Sequence, residues 1–306
     1  MMAMFGRTSA HLCKLATIAM LGTLVTLGVG NAAAAVNDVA PGDYFPLAKG
    51  TTTLAVYAYK RATSGPYVNG RKTLDGEVDM QILALRAGHF FELGGHPLSV
   101  IAVLPWARAE VAPATLAGML GKEASGMGDL RLGATSWLMA DREQGRYLGL
   151  SALVNVPTGD YDHRQVANIG ENRSKLTLSL GWIQPLTKSL VFELTPEVAW
   201  YGDNDDYVGN TRLTQRHSLA LTSYLRYRAT PNWQFHVGAQ GNHGGATRIN
   251  GVDQNNAPDN PRVMLGTTFN SDNRKHQWIV RLARDTRMQN GFKTDRELLV
   301  RYLWMY

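Results

Sequence analysis

Residues 175–182 read KLTLSLGW, and apolar and polar side chains alternate strictly along this stretch. Leu176, Leu178, Leu180 and Trp182 share one parity, whereas lysine, threonine, serine and glycine share the other. Successive side chains of a β-strand point to opposite faces of the sheet. The stretch therefore predicts a strand with one apolar and one polar face.

The same alternation continues from residue 51 to the C-terminus and predicts an all-β chain of about twelve strands. We find no convincing amphipathic helix in this part of the sequence. The predicted strands lie near residues 51–61, 76–86, 97–108, 128–139, 146–156, 175–182, 190–200, 218–226, 233–240, 262–270, 276–286 and 297–306.

The connections between these strands alternate in length. Short connections are predicted at 140–145, 185–189, 229–232 and 270–275, and longer ones at 110–127, 157–171, 202–211 and 241–261. Such alternation sorts short and long connections onto opposite ends of an up-and-down antiparallel barrel. Bacterial outer-membrane barrels have short periplasmic turns and longer external loops, so we predict a transmembrane β-barrel with both termini on the periplasmic side.

A soluble, lipocalin-like barrel would alternate too, with its apolar face inside. Twelve strands enclose more volume than side chains fill, since about eight strands already give a filled interior. The apolar faces hold almost no charge over their middle residues, as the lipid-facing side of a membrane barrel requires. Trp137 has the opposite parity, but six tryptophans near strand ends share the apolar parity, as in interfacial girdles: Trp106, Trp182, Trp200, Trp233, Trp278 and Trp304.

The N-terminus has the features of a secretory signal peptide. Arg7 and Lys14 precede an apolar stretch, and four alanines end at Ala35. We predict a signal peptide at 1–35, a short periplasmic segment at 36–50 and the barrel at 51–306. A permanent membrane anchor is the alternative, although the apolar stretch is shorter than the roughly 20 residues of a helical span. Cys13, the single cysteine, would leave with the signal.

Composition excludes several classes of protein. The chain has 306 residues, 44% of them hydrophobic, which argues against disorder. The formal net charge is +6, and Arg7 and Lys14 carry two of these charges, so the remainder is nearly balanced. No basic helix or lysine run is present, and we therefore expect no nucleic-acid partner.

Motifs of enzymes and metal sites are scarce. The histidines show no His-x-His or His-x-x-x-His spacing. His217 and Ser218 are adjacent on a predicted strand, so their side chains point to opposite faces and cannot form one dyad. The acidic loop 202–207 lacks the glycine and the distal glutamate of a calcium hand. We predict no enzymatic activity, no metal site and no cofactor, with an outer-membrane acyl-ester hydrolase as the alternative.

Charged side chains on the polar parity are expected to line the lumen. They neutralise one another as ladders that stiffen the wall, form a charged constriction that sets selectivity, or do both. The candidate lumen-lining residues are Glu77, Asp79, Asp129, Arg131, Lys175, Glu193, Glu197, Arg226, Arg281, Asp285, Glu297 and Arg301.

Several segments resemble a known family. They are GDLRLGAT at 128–135, VPTGDYD at 156–162, NIGENR at 168–173, WYGDND at 200–205 and NGFK at 290–293. The chain is similar in these segments to the family named for the MetA pathway of phenol degradation. The resemblance implies an outer-membrane barrel that transports aromatic or other hydrophobic compounds. It does not identify functional residues in this chain.

We therefore predict a passive outer-membrane channel whose solute is a small, aromatic or otherwise hydrophobic molecule. An enzyme acting on lipids and a non-conducting structural barrel are the alternatives. The expected partners are outer-membrane lipid and lipopolysaccharide, the solute, and the barrel assembly machinery, which would recognise the C-terminal Tyr306.

Overall fold

A computed structural model describes residues 39–306 of the protein. The predicted signal peptide, residues 1–35, lies outside the described residues, as do the first residues of the predicted segment 36–50. Within residues 39–306, no helix is both long and apolar enough to cross a membrane.

Twelve long strands form one closed antiparallel sheet. Each strand pairs with the next in the chain, and the last pairs with the first, so the barrel has no free edge. The prediction of a twelve-stranded up-and-down barrel is confirmed. The strands are β1 (Thr52–Val68), β2 (Glu77–Leu93), β3 (His96–Ala112), β4 (Leu130–Asp141), β5 (Arg146–Val156), β6 (Lys175–Pro185), β7 (Leu190–Tyr201), β8 (Ser218–Arg228), β9 (Trp233–Gly244), β10 (Asn260–Asn270), β11 (His276–Asp285) and β12 (Gly291–Met305).

The two ends of the barrel differ in their connections. One end, the short-turn end, carries turns of two to five residues and receives both the start of β1 and the end of β12. The other, the long-loop end, carries the connections 69–76, 113–129, 157–174, 202–217, 245–259 and 286–290. By the rule for bacterial barrels, the long-loop end faces the outside of the cell.

A short helix and several short strands lie in the loops of the long-loop end. Helix α1 (Ala114–Leu120) follows β3, and the short strands Arg71–Lys72 and Glu123–Met127 extend the barrel sheet. A separate four-stranded sheet, here the external sheet, joins two loops because Thr211–Gln215 pairs with Thr247–Ile249. Its outer members are Asn204–Tyr207 and Val252–Asp253.

The outer face of the barrel is apolar, as the alternation predicts. Leu85, Leu221 and Leu265 are each at least half exposed. The six tryptophans of the apolar parity are 37–44% exposed on this face, whereas Trp137 is buried inside the barrel. A continuous apolar surface with interfacial aromatic residues is the surface that a bilayer covers.

Candidate functional site in the barrel lumen

The lumen has two chemically different walls. On one side, β2 and β3 present an apolar wall, which consists of Val78, Met80, Ile82, Ala84, Val103, Ala107 and Ala109. On the other side, β6 to β12 present a charged wall, which consists of Lys175, Glu193, Arg226, Arg262, Arg281, Asp285, Glu297 and Arg301. Every residue of both walls is buried inside the barrel.

Helix α1 thickens the apolar wall near the long-loop end. Leu116 and Leu120 of this helix are buried and belong to the same apolar cluster as Val78 and Met80. Leu116 lies so close to Gly76 that a Cβ at that position would overlap the leucine side chain. The glycine therefore allows the helix to fold against the barrel.

A central ion cluster holds the charged wall together. Glu297 on β12 accepts a hydrogen bond from Arg61 Nε at 2.6 Å and another from Arg281 Nη2 at 3.2 Å. Arg262 lies 3.6 Å from the same carboxylate and binds Asp285 at 3.0 Å. Buried charges are expensive unless they are paired, and here three arginines share two carboxylates across four strands.

The central ion cluster lies between two cavities. On β12, Thr294 lines the cavity nearer the long loops and Arg301 lines the other, while Glu297 stands between them. On β11, Arg281 occupies the same position between Asp285 and Gln277. Arg281 and Glu297 are 0% and 2% exposed, so they form the floor that separates the cavities.

The external cavity, of about 270 Å³, brings both walls together. Met80, Leu120 and Phe292 line its apolar side. Its charged lining consists of Arg61, Lys175, Glu197, Arg262, Asp285 and the rim residue His243. A molecule in this cavity meets hydrocarbon on one side and fixed charge on the other.

The periplasmic cavity, of about 390 Å³, is strongly basic. Among its described lining residues, Asp43 is the only carboxylate. Five arginines line the same cavity, namely Arg86, Arg226, Arg228, Arg274 and Arg301.

Residues 39–50 fold into the lumen from the short-turn end, and we call them the N-terminal plug. Arg301 Nη1 donates to the Asp43 carboxylate at 2.7 Å, and Arg86 lies 3.8 Å from it. Burial alone would raise the pKa of Asp43, but these two arginines outweigh it and hold the pKa below its usual value. The backbone N–H of Gly42 donates to Glu193 at 2.8 Å, and Tyr224 Oη donates to the carbonyl of Val39 at 3.1 Å.

Tyr44 fixes the N-terminal plug against β4, β5 and β6. Trp137 Nε1 donates to the Tyr44 carbonyl at 2.8 Å, which explains why this tryptophan faces inward. The Tyr44 ring lies directly on Gly181, where any Cβ would overlap it. Burial raises the pKa of Tyr44 to about 12, so its hydroxyl group is neutral at physiological pH.

Carboxylates near the long-loop end anchor loops. Asp129 precedes β4 and accepts hydrogen bonds from the backbone N–H groups of Gly159 and Glu171, at 2.9 and 3.0 Å. Glu171 in turn pairs with Arg173 at 2.8 Å. These contacts fold the loop 157–174 over the barrel mouth, where Val166 and Ala167 line the external cavity.

The structure places most of the predicted residues inside the barrel. Glu197 is half-buried and accepts a hydrogen bond from Ser179 Oγ at 3.0 Å. The fully buried ones are Asp129, Arg131, Lys175, Glu193, Arg226, Arg281, Asp285, Glu297 and Arg301. The sequence reasoning missed Arg61, Arg86 and Arg262, although all three have the parity of their lumen-facing neighbours and could have been found.

Glu77 and Asp79 do not line the lumen, and the prediction for these two residues is wrong. Both side chains are exposed on the outer face of β2, because Val78 and Met80 occupy the lumen face instead. They pair across the sheet with Ala112 and Glu110, beyond the interfacial Trp106 on β3. Strands of 17 residues exceed the roughly 9–11 that a membrane crossing needs, so these charges lie outside the bilayer.

Other candidate sites contain ordinary structural contacts. Ser218 Oγ shares a hydrogen bond with Tyr201 Oη at 2.8 Å, whereas His217 is exposed. In the acidic loop, Asp203 and Asp205 both pair with Arg212. Within residues 39–306, no cluster of histidine, cysteine and acidic residues could hold a metal ion.

A closed barrel with an apolar outer face, interfacial tryptophans and a charged lumen is an outer-membrane β-barrel. More specifically, the chain belongs to the family described as "Putative MetA-pathway of phenol degradation", whose profile matches residues 61–299. No curated protein matches the chain at a significant level.

Solved structures agree with this assignment. A crystal structure of an outer membrane channel from Pseudomonas putida F1 is similar with a TM-score of 0.83 and 29% identity, over 88% of this chain and 100% of that chain. The β domain of the Bordetella autotransporter BrkA has a TM-score of 0.50 and 11% identity, over 84% of this chain and 99% of its own. The second likeness shows the barrel fold alone, whereas the first is to an outer membrane channel over most of this chain and the whole of that one.

Proposed function

We propose that the protein is a passive channel through which small aromatic or otherwise hydrophobic compounds cross the outer membrane, without chemical conversion. The external cavity is the observation that carries this proposal. It places Met80 and Leu120 opposite Lys175 and Arg262 within about 270 Å³.

A lumen with one apolar wall suits an amphiphilic solute better than a sugar. An aromatic ring loses water when it packs against Met80 and Leu120, at roughly 25 cal/mol for each Å² of apolar surface buried. A polar substituent on the ring keeps hydrogen-bond partners on the charged wall. The family description, which refers to phenol degradation, supports a solute of this kind.

Ion current through the refolded full-length protein in a planar bilayer tests the proposal. Phenol crosses lipid bilayers by itself, so its passage is detected through its block of the ion current. We expect phenol to block the current in a concentration-dependent manner and glycerol to leave it unchanged. Absence of any current, or equal block by both solutes, would contradict the proposal.

A pair of neighbouring variants on β2 sharpens this experiment. Met80→Gln places an amide on the apolar wall of the external cavity and should weaken the phenol block. Gln81→Met makes the reverse change one residue away, on the outer face, and should leave the block as in the native protein. Equal effects of the two variants would contradict passage along the apolar wall.

We also propose that a cleavable leader at 1–35 directs export and that the barrel assembly machinery recognises the C-terminus. Tyr306 is half-exposed, and its backbone N–H and carbonyl both bond to Thr52, at 3.0 and 2.8 Å. The C-terminal residue therefore lies at the seam where the barrel closes. Deleting Tyr306 should lower the amount of assembled barrel and leave the removal of the leader unaffected.

A further inference from the structure

Lys175 differs from the other charged residues of the external cavity. It begins β6, is only 6% exposed and lines the cavity. Within residues 39–306, its ammonium group makes no hydrogen bond and no ion pair. Arg61 and Arg262 are held by Glu297 and Asp285.

The surroundings of Lys175 compensate only part of the cost of burying its charge, because the carboxylates of Glu171 and Glu197 attract its ammonium group without forming an ion pair with it. Its Nζ lies 5.5 Å from the centre of the Tyr201 ring, a cation–π distance. Arg173 lies 4.9 Å from the centre of the same ring, so two cations share one aromatic ring. An ammonium group has three N–H donors, and a ring face does not replace the hydrogen bonds that burial takes from it.

The acceptors on the cavity wall are already occupied. Asp285 accepts hydrogen bonds from Arg262 at 3.0 Å, from Asn260 at 3.1 Å and from the backbone N–H of Thr294 at 2.8 Å. Glu197 accepts one from Ser179 at 3.0 Å. The cavity therefore presents an unused cationic donor, and a ligand complements it by bringing an acidic oxygen.

We infer that Lys175 binds the acidic oxygen of a small aromatic anion, a carboxylate or a phenolate, whose ring packs against Met80 and Leu120 in the external cavity. This inference rests on the proposed channel function and names the solute that the site prefers. The cavity volume of about 270 Å³ fits a single ring rather than a long acyl chain, since sites for drug-sized ligands start near 300 Å³.

Calorimetric titration of the full-length protein in detergent tests the site with benzoate and with benzyl alcohol, its neutral counterpart of similar size. A hydrogen bond to a charged group corresponds to roughly a 10- to 100-fold preference for benzoate. Lys175→Met should abolish this preference and leave the affinity for benzyl alcohol within about twofold, since the apolar wall is unchanged.

Two further variants control for charge and for folding. Lys175→Arg keeps the positive charge and should retain the preference for benzoate. Lys60→Met removes a lysine from the outer face of β1 and should bind both probes as the native protein does. Folding of each variant is checked by the shift in electrophoretic mobility that heating causes in intact barrels.

Titration with 4-nitrophenol separates the two kinds of anion. If phenolates bind at Lys175, native protein and Lys175→Arg should bind the ionised form more tightly than the neutral form, whereas Lys175→Met should not distinguish them. A preference limited to benzoate would assign the site to carboxylates.

Equal affinity of the native protein for benzoate and benzyl alcohol, or a preference for benzoate that survives in Lys175→Met, would overturn the inference. The ion current in the planar bilayer is measured independently of these two binding outcomes. Binding at Lys175 in a protein without ion current would support the site and contradict the channel. Block by phenol that does not depend on Lys175, combined with equal affinities, would support the channel and contradict the site.

Discussion

The apolar wall and the charged wall of the lumen are equally buried, but they are held in different ways. Ala84 and Ala107 on the apolar wall are fully buried, and so is Arg281 on the charged wall. The apolar wall is stabilised by packing against its neighbours and α1, and each contact there is replaceable by another of similar size. The charged wall depends on particular ion pairs. Loss of one carboxylate leaves its arginine partners buried without a counter-charge, where they repel one another.

This difference shows that the lumen face of a membrane barrel need not be polar along every strand. Lipid requires an apolar outer face on all twelve strands. The side chains of the inner face instead match the segments that pack against them inside the barrel. Where α1 and the loop 157–174 fold inward, the inner face is apolar as well. The two walls therefore respond differently to substitution.

Glu297→Gln should have the largest effect on stability. The substitution leaves Arg61, Arg262 and Arg281 around a neutral amide, and breaking a buried ion pair costs about 3–5 kcal/mol. Urea titration in liposomes measures the loss. Asp79→Asn, at an exposed carboxylate on β2, should change the free energy of unfolding by less than about 0.5 kcal/mol. Similar losses for both variants would show that the central ion cluster has no special role.

Ile82→Ala should destabilise the apolar wall by about 2–5 kcal/mol, because the side chain is 2% exposed and its removal leaves a cavity. Leu85→Ala, on the outer face of the same strand, should cost less than about 1 kcal/mol, since lipid tails fill the space. The same urea titration compares them. A larger loss at Leu85 would contradict the assignment of the two faces.

Asp43→Asn should loosen the N-terminal plug. A hydrogen bond to a charged partner contributes about 1.5–3 kcal/mol, and the substituted amide would keep only the weaker bond of a neutral acceptor with Arg301. We expect a larger ion current in the planar bilayer, with little change in barrel stability. An unchanged current would show that the plug does not limit conduction.

Because the pKa of Asp43 is lowered, its contact with Arg301 should weaken only in acid. The contribution of the carboxylate to docking is complete above the usual pKa of 3.8 and is lost as pH falls through the lowered value. The native current should therefore stay constant across neutral and mildly acidic pH and increase only in stronger acid. Asp43→Asn should lack that increase.

Trp137→Phe should have the smallest effect, a loss of about 0.5–1.5 kcal/mol in the docking of the plug, because only the hydrogen bond to the Tyr44 carbonyl disappears. Combined with Asp43→Asn, the increase in current should differ from the sum of the single effects, since both residues hold the same segment. Strict additivity would indicate that they act independently.

The outer face was predictable from sequence because a single constraint acts on all strands. In β6 the lumen face carries Lys175, Thr177 and Ser179, so the two parities differ clearly. In β2 the middle of the strand carries apolar side chains on both faces, so alternation does not show which face meets lipid. Glu77 and Asp79 were assigned to the lumen only because they are charged, and this assignment was wrong. Strand length would have corrected this, since 17 residues exceed one membrane crossing.

The plug could not be placed from sequence. Asp43 and Arg301 are 258 residues apart, and nothing in the pattern around either residue points to the other. Lys175 was predictable as a lumen residue from its parity. That no residue of 39–306 pairs with it as an ion pair depends on where Glu171 and Glu197 find their own partners. Such pairing is a property of the closed barrel and is absent from any single strand.

The external sheet has a consequence for how the cell surface is recognised. Backbone pairing between Thr211–Gln215 and Thr247–Ile249 joins two loops that are separate in the chain into one rigid surface. An antibody directed at this surface would contact residues of both loops at once. Its epitope is therefore conformational, and peptides copied from either loop alone would not compete for it.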